Sequence, residues 1–85
     1  MEKIGEKVSV NFVYHHEAGQ VLPRLIKWHN RIYHIQKVGL HYTLYRGSAL
    51  IHMFSVCDQN HYFLLALNTQ SLHWTLEEIA DNLTN

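Results

Sequence analysis

The chain has 85 residues and balances seven Lys and Arg against seven Asp and Glu, for a formal net charge of zero at pH 7. That length makes one domain, residues 1–85, and an apolar fraction of 47% with only 16% charged residues excludes a disordered chain. A domain this small buries only about 60–65% of its unfolded surface, so its two Trp, five Tyr and three Phe are needed as core material.

The apolar runs are short and often interrupted, which favours strands. Val8, Val10, Phe12 and Tyr14 alternate with Ser9, Asn11, Val13 and His15, as in a half-buried first strand. His16 to Pro23 reads as a loop that pivots on Gly19 and ends at the proline. Arg24 to Val38 reads as a hairpin. His29-Asn30 can form its two-residue turn, because Asn tolerates positive φ. That turn pairs Trp28 with Arg31, Ile26 with Tyr33 and Leu25 with His34, and puts Ile26, Trp28, Tyr33 and Ile35 on one face. A turn at Asn30-Arg31 is the alternative.

Gly39 interrupts the chain before a strand from Leu40 to Arg46, which ends at the turn signal Gly47-Ser48. Ala49 to Cys57 is the next strand, and Asp58-Gln59-Asn60 turns it into His61 to Leu67. With Gln59-Asn60 as the two central turn residues, Val56 faces Phe63, Phe54 faces Leu65 and His52 faces Leu67, and a one-residue slip would reverse the faces. Cys57 is the only cysteine, so an internal disulfide and a thiolate-rich zinc site within one chain are excluded. It reads as a small strand residue near a turn. At the C-terminus, Trp74 and Leu76 could close a short strand. Thr75 and Glu78 match the capping box, however, and Leu76, Ile79, Ala80 and Leu83 form a helical stripe, so a helix is expected over Leu76 to Leu83. The expected fold is mainly β with an α+β character: a small curled antiparallel sheet or partly open barrel of about six strands, with one short C-terminal helix.

The run Pro23-Arg24-Leu25-Ile26-Lys27-Trp28-His29-Asn30-Arg31-Ile32-Tyr33-His34-Ile35 resembles the pattern P-x-x-F-x-W-x-G-R-x-Y-x-V of small bacterial β-rich proteins of unknown function. Phe54-Ser55-Val56, Phe63-Leu64-Leu65 and Trp74-Thr75-Leu76 continue the resemblance, which spans residues 22–76. The chain departs from the pattern at Asn30, where the pattern has Gly. The resemblance implies a compact β fold with a curled sheet and brings no catalytic residue with it.

Net neutrality hides an uneven distribution. Five of the seven cations, Arg24, Lys27, Arg31, Lys37 and Arg46, lie in the middle of the chain, and no Asp or Glu occurs between Ala18 and Cys57. Trp28, Tyr33, Tyr42 and Tyr45 share that stretch with His29, His34, His41 and His52. Cations interleaved with aromatics are what nucleic-acid binders use, through phosphate contacts and base stacking. The pairing above claims Trp28 and Tyr33 for the core, with Arg31 lying over Trp28 as a cation–π cap. The candidate binding residues for an anion or a partner are therefore Arg24, Lys27, Arg31, Lys37, Arg46 and Tyr45. Protonation of the nearby histidines would strengthen anion binding between pH 8 and pH 6.

Eight histidines raise a metal reading, but no zinc-type spacing is present. His15, His16 and His29 are the weak candidates, and no metal or other cofactor is expected. The acids form no motif with a nucleophile, and Asp58 with His61 reads as a surface pair across a turn. No catalytic residue is assigned. Several strands are apolar on both faces, which calls for cover by the C-terminal helix or by a second subunit. The expected function is a non-catalytic binding module with its contact surface on the central hairpin and the following strand. Its expected partner is a protein, including a second copy in a homodimer. A nucleic-acid-binding accessory domain is the alternative, and a histidine-based metal protein is third. No signal segment or run of about 18 apolar residues is present, so a cytoplasmic protein without a membrane partner is expected.

Overall fold

The computed structural model describes residues 2–81. They form seven strands: β1 (Glu2–His15), β2 (Gln20–Trp28), β3 (Arg31–His34), β4 (Lys37–Arg46), β5 (Ala49–Cys57), β6 (His61–Asn68) and β7 (Trp74–Asp81). All pairings are antiparallel, in one sheet of order β3-β2-β1-β7-β6-β5-β4. The mainly β expectation holds. The α+β part does not, because the described residues contain no helix, and hence none long enough to cross a membrane.

Two hairpins follow from their turns. His29 and Asn30 both have positive φ, 52° and 61°, as a type I′ turn requires. Trp28 then faces Arg31, Ile26 faces Tyr33 and Leu25 faces His34. In the β5–β6 hairpin, Asp58 Oδ1 accepts the backbone N–H groups of Asn60 and His61 at 2.8 and 2.7 Å. Val56 faces Phe63, Phe54 faces Leu65 and His52 faces Leu67.

The first loop is shorter than the sequence suggests. β2 begins at Gln20, and Pro23 lies inside it, buried opposite Phe12. The register of β1 against β2 shifts at this point, and such a bulge is one of the few places a sheet accepts proline. β1 itself serves two neighbours. Glu2 to Val8 pairs with β7, and Ser9 to His15 pairs with β2.

The seventh strand stands where the helix was expected. β7 lies between β1 and β6, so its backbone groups are paired on both sides. Its register against β6 passes from Leu76 opposite Leu65 to Glu78 opposite Leu64, which leaves Glu77 as an extra residue. The bulge brings Leu76 and Ile79, three apart, onto the same core face and so imitates a helical stripe. Leu83, the last residue of that stripe, lies outside the described residues.

The sheet curls without closing. The Ile35 amide donates to the Arg24 carbonyl of β2, while the next amide, Gln36, donates to the Cys57 carbonyl of β5, both at 2.9 Å. At that corner the chain steps from one end of the sheet to the other. The inner face is filled by Ile26, Tyr33, Phe54, Val56, Phe63, Leu65, Trp74 and Leu76. Tyr33 meets Phe63 edge-on at 5.3 Å across the interior. Ala49, Ile51, Met53 and Ala66 form a second cluster, with Leu44 and Leu64 packed against it. No helix is needed to cover Ile51 and Met53, which are only 2% and 3% exposed. Tyr42 stands opposite Met53 and Leu44 opposite Ile51. Arg46 of β4 donates to Glu77 of β7 at 2.8 Å, a pair that spans the two strands between them.

Candidate functional site

The five central cations do not form one surface. Lys27 is exposed on β2, and Arg31 on β3 lies 5.6 Å from the Tyr33 ring, not over Trp28. Arg24 and Lys37 line one shallow cleft at the corner where the sheet ends meet. Arg46 is neutralised by Glu77. Acidic residues from both ends of the chain thus fold onto the basic stretch, since Glu6 does the same at the β2–β3 turn.

Glu6 accepts hydrogen bonds from Trp28 Nε1 and from His29 Nε2, each at 3.0 Å. The bond from Trp28, then that from His29, holds the Glu6 carboxyl below its ordinary pKa. Trp28 is half-buried, stacks on His29 with ring centroids 4.1 Å apart, and is not presented as an open platform for a base. Tyr33 is buried.

The histidines divide into small local contacts. His15 Nδ1 accepts the Ala18 amide in the first turn. His15 and His16 sit at the far end of β1 from Glu6 and His29, about 30 Å along the strand at ~3.3 Å per residue, so the three weak metal candidates cannot share an ion. His61 pairs with Asp58 across the turn at 3.3 Å, but half-buried and not at the surface as expected. Among the described residues no group of three or more His, Cys, Asp or Glu is arranged to hold a metal.

One histidine contact was not foreseen. His41 Nε2 and His52 Nδ1 are 2.7 Å apart, with the rings within 25° of a common plane and centroids 5.0 Å apart. That separation matches the N···N distance plus one ring radius on each side, so the rings meet end-on and one imidazole donates to the other. His41 also lies flat against Phe54, with centroids 4.4 Å apart and planes at 6°. Partial burial, and then the neighbouring His52, lowers the His41 pKa. Extending the register of the Gly47-Ser48 turn reveals this pair, since it sets Thr43 opposite His52 and His41 opposite Phe54.

β4 is the feature that strand order makes and sequence cannot. β5 lies on one side of it and no strand on the other. Among the described residues no backbone group bonds to its outer side from Leu40 to Arg46. The register shift between Val38 and His41 absorbs one extra residue near Gly39 and leaves the rest of β4 regular. His41, Thr43 and Tyr45 then share the face of Phe54, while Tyr42, Leu44 and Arg46 share the face of Met53. Leu40 and Tyr45 are 60% and 71% exposed. Natural sheets guard such edges with Pro, Lys, bulges or inward charges; Lys37 and the bulge near Gly39 lie at the start of β4, and from Leu40 to Arg46 the only charge is Arg46, already engaged by Glu77. The other edge strand, β3, has only four residues. No family model, no curated protein and no solved structure matches the chain.

Proposed function

We propose that the chain is a non-catalytic interaction module that binds an extended strand of a protein partner along the outer edge of β4. One observation carries this reading: a seven-residue unguarded edge with exposed Leu40, Tyr42 and Tyr45. Strand addition supplies backbone hydrogen bonds for affinity, and alternating side chains supply specificity. The β2–β3 hairpin is the weaker contact surface, because Trp28 and His29 are already engaged by Glu6.

Site-specific photocrosslinking in cells tests the proposal, with a benzophenone amino acid in place of Tyr45 and, as control, in place of Lys27. The expected result is a protein adduct from position 45 that disappears when Leu40 and Tyr42 are both replaced by Lys. Adducts from position 27 alone, or to nucleic acid, would contradict it. The paired cations Arg24 and Lys37, with no ion-pair partner among the described residues, support nucleic-acid contact as a second reading. A salt titration with single-stranded oligonucleotides decides that reading, because phosphate contacts must weaken as salt rises.

A further inference from the structure

We infer that the strand added to β4 is β4 of a second copy of this chain, paired antiparallel about a two-fold axis through Thr43. This rests on the edge reading above and specifies its partner. A two-fold axis relating antiparallel neighbours runs normal to the sheet and keeps each face on its own side, so opposed residues must come from the same face. The register that uses all of Leu40 to Arg46 sets Thr43 opposite itself. Tyr42 then faces Leu44 of the second copy, His41 faces its Tyr45, and Leu40 faces its Arg46.

The side chains match in that register. On the outer face, Leu44 already packs against the Ala49, Ile51, Met53 and Ala66 cluster, and Tyr42, the cross-strand neighbour of Met53, is 40% exposed beside it. The axis brings a second Tyr42 and Leu44 beside them, so the two apolar clusters become continuous. On the inner face, the His41 ring lying on Phe54 gains a tyrosine neighbour, extending an aromatic row that already runs through Trp74 to Phe12. Charge permits the pairing, since the stretch carries no acid and its one arginine faces leucine. An unrelated strand would satisfy the same amides but not this self-complementary order of side chains.

Sedimentation equilibrium on the full chain tests the inference. The mass should rise from 10.0 kDa toward twice that value with increasing concentration. Leu40→Lys sets a lysine against Arg46 of the second copy and should weaken the dimer by about tenfold, while Leu40→Glu should hold or tighten it. Leu40 is 60% exposed, so both variants keep the monomer fold, verified by near-ultraviolet circular dichroism. A monomeric wild type at every concentration would overturn the inference, as would Lys and Glu weakening the dimer equally. A monomeric wild type whose position 45 still crosslinks to a different protein removes the second copy and leaves the edge reading in place.

Discussion

Phe54→Ala probes what holds the curled sheet together. Phe54 is 1% exposed, opposite both His41 and Leu65, with Trp74 at 5.5 Å between ring centroids. Removing a buried phenylalanine ring costs about 3–5 kcal/mol in lost transfer and cavity energy. At roughly 0.05–0.15 kcal/mol per residue, a domain of 85 residues has a total stability of about 4–13 kcal/mol. The variant should therefore lose roughly a quarter of its stability or more. Met53→Ala, on the other face, should fall near the low end of the range for such truncations, about 2 kcal/mol, because Tyr42 opposite it on β4 is 40% exposed and can settle into the gap. Urea unfolding followed by the fluorescence of Trp28 and Trp74 measures both, and an unchanged denaturant slope assigns the effect to stability. A cost below about 1 kcal/mol for Phe54→Ala, or a larger cost for Met53→Ala, would refute the view that the inner face is the principal core.

The remaining predictions concern titration and turn geometry. His41 should titrate below the ordinary histidine range in a proton NMR titration, and His52→Ala should restore only part of the shift, because burial is its leading cause. Since the folded state holds fewer protons on His41 than the unfolded state does, this residue's contribution to stability is intact above the ordinary histidine range. It falls as pH drops through that range toward the folded midpoint. An unshifted His41 midpoint would mean that the ring does not rest on Phe54. At the β2–β3 turn, Asn30→Gly should change stability by no more than about 0.5 kcal/mol, while Asn30→Val should cost about 1–2 kcal/mol, because a β-branched residue is strained at positive φ. Equal unfolding midpoints for the two variants would argue against the type I′ turn.

Both hairpin registers were legible in the sequence because turn chemistry and alternation agree there. His29-Asn30 supplies two positive φ values, and the Asp58 carboxylate holds the next turn. Bulges mark where the reading failed. The extra residue at Glu77 made a central strand look like a helix, and the shift at Pro23 made part of β2 look like a loop. The basic middle was visible, but not that Glu77 would reach across two strands to Arg46 or that Glu6 would bond Trp28 and His29, because both acids lie far from it in sequence. The His41–His52 contact was accessible from the Gly47-Ser48 register. The open edge of β4 was not, since a strand's own residues do not say which strand will be missing beside it.

Amide hydrogen exchange at low and high protein concentration tests the central claim most directly. If β4 pairs through its outer edge with a second copy, amides between Leu40 and Arg46 should gain protection at high concentration, while those of β3, the other edge, should not change. Equal exchange of Leu40 to Arg46 at both concentrations, or a gain confined to the β2–β3 hairpin, would contradict it.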